Sequence, residues 1–169
     1  MRLYILLIVA AIAQSPAAQN SAPAKPCSSP ACSQFDFWLG NWDLAWGDTS
    51  KGTNTIRKLF GDCVINENFN DPAGNYSGMS WSVYNTRTMK WQQTWVDNQG
   101  AYILLSGAFK NGEMILTTPP YVSLQKRKVI SRMVYYHIAP DNFDWRWESS
   151  TDNGKTWKQN WKIHYQRKK

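Results

Sequence analysis

Glu67 lies in the run Ile65-Asn66-Glu67-Asn68-Phe69, and Gln93 lies between Trp91 and Trp95. Alternate residues of a strand share a face, so Glu67 stands with Cys63, Ile65 and Phe69, and Gln93 with the two tryptophans. A carboxyl group among apolar side chains has its charged form disfavoured unless a donor is near, and Arg132 or Arg57 could be that donor. A polar spot of this kind at the base of an aromatic pocket orients a ligand or serves as a general acid. The pattern equally suits a buried, satisfied network that fixes strand register. Glu67 and Arg132 are therefore catalytic candidates only, for a cyclase, isomerase or hydrolase chemistry that would use Glu67 with Arg132 or Gln93.

Ten tryptophans in 169 residues supply flat, apolar surface. Such rings stack on planar ligands, although inward alternating positions suit core packing as well. The ligand-binding set read from the sequence is Trp38, Trp46, Glu67, Trp81, Trp91, Gln93, Trp95 and Trp145, with Trp38 and Trp46 at the pocket mouth. Only His137 and His164 are available for histidine chemistry. Neither sits in a Ser-His-Asp pattern.

Three cysteines, Cys27, Cys32 and Cys63, point to one disulfide and one leftover thiol in an exported chain. Either Cys27 or Cys32 paired with Cys63 would staple the leader to the strands. The spacing holds no paired cysteines for zinc, so no metal is expected.

These residues need elements to hold them. The aromatic stretch Phe35-Asp36-Phe37-Trp38-Leu39-Gly40-Asn41-Trp42 cannot face water without leaving a sticky patch, so it reads as a plug against a core. Alternation and turn residues then predict strands over 41–46, 53–60, 63–69, 76–84, 91–97, 101–109, 113–118, 126–138, 143–149 and 156–167. Residues 101–109 are apolar on both faces, which implies a covered strand or an apolar outer patch. Trp157, Trp161, Ile163 and Tyr165 alternate with polar residues on the last strand, so one side is core and the other water. Ten short strands joined by tight turns imply an all-β antiparallel up-and-down meander closed into a barrel. At about ten strands the interior leaves room for a ligand.

Met1-Arg2, the apolar run 3–13 and the small residues that follow read as a secretory signal peptide over 1–18. A flexible leader rich in Ala, Ser, Pro and Gln covers 19–31, and the barrel domain covers 32–169. The expectation is an exported protein, periplasmic or secreted, without a stable membrane anchor after cleavage. Its formal charge of +7 falls to about +6 with Arg2 removed. No nucleic-acid motif accompanies that charge, so the excess reads as a solvated rim and tail.

The plug, the strand start Gly61-Asp62-Cys63-Val64-Ile65 with Glu67 and Phe69, the segment Trp91-Gln92-Gln93-Thr94-Trp95-Val96-Asp97, and Trp147-Glu148-Ser149-Ser150-Thr151-Asp152-Asn153-Gly154-Lys155-Thr156-Trp157 form a recognisable set. They resemble a bacterial family of exported, lipocalin-like (calycin-type) β-barrels of unknown function that carries the motif FDFWLGxW. The resemblance implies a Cys27–Cys63 disulfide with Cys32 as the odd thiol, and it implies no established activity. The chain departs from that pattern at Asp62, between Gly61 and Cys63, and at Tyr135, where the family more often has Trp. Haem-binding barrels of the nitrobindin type hold iron on a histidine near the C-terminus. His164 faces outward by its strand position, so no cofactor is expected. The reading from sequence is an exported barrel that takes a small apolar or amphipathic molecule, with an enzyme on the same scaffold or a filled structural envelope protein as alternatives.

Overall fold

A computed structural model describes residues 25–169. The signal peptide expected over 1–18, and residues 19–24 of the leader, lie outside the described residues. Two short 3-10 turns, Pro30–Ser33 and Asp36–Trp38, precede eleven strands. These are β1 Gly40–Trp46, β2 Ser50–Leu59, β3 Val64–Asp71, β4 Tyr76–Asn85, β5 Lys90–Asp97 and β6 Tyr102–Lys110. They continue with β7 Glu113–Thr117, β8 Tyr121–Val122, β9 Lys128–Tyr136, β10 Asn142–Ser150 and β11 Lys158–Arg167.

Strands β1 to β7 pair in sequence order, and the ladder continues through β9, β10 and β11. β11 pairs antiparallel with β1, with Trp42 opposite Arg167 and Leu44 opposite Tyr165, which closes a barrel of ten strands. Closure leaves no long edge unpaired. The short β8, in a segment to which the sequence reading assigns no strand, adds a two-residue ladder beside the start of β9. Local chemistry explains the tight connections. Between Lys110 and Glu113 the two-residue loop Asn111-Gly112 takes φ of 54° and 80°, the left-handed pair that a type I′ hairpin requires.

One end of the barrel is sealed by the plug. Phe35, Trp38 and Trp42 are fully buried, and Phe35 meets the rings of Trp91 at 4.9 Å and Tyr135 at 5.3 Å, both edge to face. Trp42 donates its indole N–H to the Trp38 carbonyl at 2.7 Å. Arg167 ties the plug to the last strand by donating to the carbonyls of Leu39 at 2.7 Å and Phe37 at 3.3 Å while its guanidinium covers the Trp42 ring. Satisfying those carbonyls matters because a buried backbone acceptor without a donor is costly.

Cys27 and Cys63 form a disulfide, and Cys32 is a buried free thiol. The bond and the Lys25–Asp62 ion pair hold residues 25–31, the described part of the leader, against the barrel at the turn before β3. No helix among the described residues is long and apolar enough to cross a membrane.

The alternation that predicts facing fails at one place on β11. The register slips between Trp147 and Glu148, so that Trp147 pairs with Trp161 but Glu148 pairs with Gln159. The extra residue turns every side chain before it to the other face. Trp157 therefore does not join Trp161 in the core. It lies outside, with the Arg132 guanidinium 4.0 Å above its ring.

Strand β6 resolves in favour of an apolar outer patch. Leu105 is buried, while Tyr102 and Leu104 are exposed on the same outer face as the exposed Met79 and Trp81 of β4, with β5 between them.

Candidate functional site

The half of the barrel remote from the plug contains a cavity of about 150 Å³. Eight of its twelve lining residues are aromatic, so its wall is mainly π surface. β3 contributes Glu67 and Phe69, β4 contributes Tyr76, and β5 contributes Trp95. From β9, β10 and β11 come Met133 and Tyr135, Trp145 and Trp147, and Trp161, Ile163 and Tyr165, while Ile103 comes from β6. All sit at the inward positions of their strands. The rings brace one another at steep angles: Trp145 and Trp161 cross at 87°, Phe69 and Trp161 at 81°, Phe69 and Trp95 at 70°. Tyr76, Ile103, Trp147 and Trp161 are only half-buried, which places the rim against solvent.

Glu67 is the one acidic residue of the lining. Asn54 donates its amide to Glu67 Oε1 at 2.7 Å, and the Ser80 hydroxyl donates to Oε2 at 2.6 Å. Asn54 also donates to the Tyr165 hydroxyl at 3.2 Å, so the phenolic hydrogen remains free for another acceptor. Gln93 donates to Ser80 at 3.1 Å and to Ser82 at 3.0 Å and thus supports the carboxylate from behind. Burial pushes the Glu67 carboxyl up to about 7, against the opposing bonds from Ser80 and Asn54. The buried Tyr135 and Tyr165 hydroxyls are pushed well above their usual range, first by burial and then by the charge of Glu67. Near neutrality Glu67 is therefore the group on this floor that changes charge.

Asp97 anchors the rim. It accepts from the Trp95 indole at 2.9 Å, from the Tyr76 hydroxyl at 3.0 Å, and from the backbone N–H groups of Gln99 and Ala101. Burial pushes its carboxyl up, but the donors from Trp95, Ala101, Tyr76 and Gln99 outweigh this and hold it below the usual carboxylate range. Two walls of the cavity are thereby fixed to one carboxylate.

Of the residues singled out by sequence, Glu67, Trp95 and Trp145 line this cavity. Gln93 is buried and reaches Glu67 only through Ser80. Trp46 stands one ring back from the lining, against Trp161 at 5.5 Å and Phe69 at 6.3 Å. The others lie elsewhere. Trp38 is buried in the plug rather than at a mouth, and Trp91 belongs to the same sealed end, where it donates to Gln34.

Trp81 is on the outer face of β4. Its neighbours Ser80 and Ser82 take the inward positions, because Glu67 and Gln93 need their hydroxyls. Arg132 also points outward, where it pairs with Glu148 and covers Trp157, and Arg57 is exposed. The donors that hold Glu67 are neutral. His164 and His137 both rest on Asp144 on the outer surface, at 3.0 and 2.9 Å, away from the cavity.

Sequence reading missed Asn54 and Ser80 as partners of Glu67, Ser82 as a partner of Gln93, and Phe69, Tyr76, Trp147, Trp161 and Tyr165 as lining. Strand parity was the available signal: Asn54 lies two residues from Ile56 on the same face of β2, and Ser80 stands opposite Glu67 in the β3–β4 ladder.

No curated protein matches the chain. A family model described as "Protein of unknown function (DUF1579)" matches residues 39–167. That match begins at Leu39, so Phe35, Phe37 and Trp38 of the plug motif precede it, while every strand of the closed barrel falls inside it. The match takes in the whole closed barrel, and the chain belongs to the DUF1579 family.

Proposed function

We propose that this protein is an exported lipocalin-like barrel that binds a small apolar or amphipathic molecule in its open half. The observation that carries this reading is the aromatic cavity with a single carboxyl group at its base. A cavity of about 150 Å³ takes an occupant of roughly benzene size, so the ligand is a single-ring molecule or the end of a longer one. The polar spot orients it, as convergent polar groups do in apolar sites. The Cys27–Cys63 bond supports export, since disulfides persist in oxidising compartments.

Native mass spectrometry of the mature protein from its own host, followed by denaturation and small-molecule analysis, tests this. A stoichiometric co-purifying molecule is the expected result. A clean apo mass together with no response to any small apolar probe would defeat it.

A second reading has one observation in its favour. A carboxyl poised at about 7 is suited to general acid or base work near neutral pH. Turnover that Glu67→Gln abolishes while apolar binding persists would replace the carrier reading with an enzyme. Loss of binding and folding together would indicate a structural role for Glu67.

A further inference from the structure

The cavity floor holds a carboxyl group with no opposite charge. Asn54 and Ser80, its partners, are neutral, and none of the ion pairs among the described residues includes Glu67. The nearby arginines of sequence reading, Arg57 and Arg132, are on the outside of the wall. Two further acceptors, Asn54 Oδ1 and Gln93 Oε1, are buried in this network without a donor among the described residues. Trp95, Trp145, Trp161, Phe69 and Tyr165, five electron-rich rings, line the same cavity between this carboxyl and the rim. A cation is attracted by the faces of such rings, and most strongly by tryptophan in a desolvated setting.

From this combination we infer that the ligand presents a small organic ammonium group, seated among the aromatic rings with its charge against the Glu67 carboxylate. The inference deepens the binding reading above and rests on it. An occupant of this kind supplies what the folded chain lacks, a counter-charge for a buried carboxylate. The chain as a whole is basic, with a formal charge of +7, so its overall field opposes cations. Selectivity for one must come from this local arrangement.

Choline and its uncharged isostere 3,3-dimethylbutan-1-ol separate charge from shape. The purified, disulfide-intact protein is titrated with each at pH 8, by calorimetry and tryptophan emission. Choline should bind at least about tenfold more tightly than the alcohol, a preference of about 1.4 kcal/mol. In Glu67→Gln that preference should fall at least several-fold, leaving only the share that the aromatic faces supply. Should the variant not fold, the pH dependence of the wild-type protein serves instead. Tyr76, Tyr135 and Tyr165 face Glu67 with hydroxyls pushed upward, and Asp97 at the rim is held low. Glu67 is thus the facing group that ionises between pH 5 and pH 8, and the preference should grow across that window. Equal or tighter binding of the alcohol overturns the ammonium inference and leaves cavity binding intact. Binding of neither overturns the inference, and native mass spectrometry then decides the cavity reading separately.

Discussion

Asn54 Nδ2 and Glu67 Oε1 lie 2.7 Å apart across the β2–β3 ladder, on the same inward face. That bond is one of two that oppose the effect of burial on the carboxyl. Asn54→Ala should therefore move the Glu67 titration upward from about 7, read by carbon-detected NMR of its side-chain carboxyl. It should also cost about 1–3 kcal/mol, the usual penalty for depriving a buried polar group of its partner. An unchanged titration would show that Asn54 does not set the protonation of Glu67.

The same carboxyl makes stability depend on pH. Its folded value of about 7 stands above the ordinary carboxyl value of 4.5, so between these limits the native state holds a proton that the unfolded chain has released. Unfolding free energy then falls as pH rises. The contribution is fully present below about pH 4.5, is lost through pH 7, and amounts to about 3 kcal/mol. Urea midpoints of wild type and Glu67→Gln, compared at half-unit steps from pH 5 to pH 8, isolate it. Parallel curves for the two proteins would refute the burial argument.

Cys27 and Cys63 are separated by 36 residues, and that loop closes the plug and the first two strands onto the turn before β3. In the chain-entropy description, removing the link costs about 4 kcal/mol. Reduction, or Cys27→Ala with Cys63→Ala, should lower the denaturant midpoint accordingly. Cys32 is buried, so it should stay unreactive toward a thiol reagent until the protein unfolds. Rapid native labelling would contradict this placement.

Gly78 is where Trp95 finds room. A Cβ there would run into the Trp95 indole and stand 2.8 Å from the Val96 carbonyl. Gly78→Ala should cost about 1–3 kcal/mol through overpacking. It should also shift tryptophan emission, because it displaces a cavity wall. A variant as stable as wild type with the same spectrum would mean that Trp95 is free to move.

The barrel was legible because most strands are wet on one side and dry on the other. Trp42 and Leu44 on β1, and Ile163 and Tyr165 on β11, announce their faces by alternation alone. Glu67 was legible for the same reason, being locked in phase with Ile65 and Phe69. Trp81 was not, since a tryptophan between two serines reads as the buried member. Here the serines are inside, and only the carboxyl and amide groups across the ladder make that arrangement favourable. Trp157 shows a second kind of illegibility. A slip of one residue at the β10–β11 register leaves no trace in composition, yet it reverses the facing of everything beyond it. The choice of Arg132 as partner to Glu67 failed because charge complementarity does not reveal which side of a strand each partner occupies.

The plug makes the barrel blind at one end. Whatever enters must do so through the ring of Tyr76, Trp147 and Trp161 and depart by the same door, in reverse order. The group that meets Glu67 goes in first and comes out last. A long molecule would accordingly be gripped by its tip, with its remainder trailing into the surroundings. Its dwell time would follow how often those rim rings swing aside as much as how firmly the floor holds on.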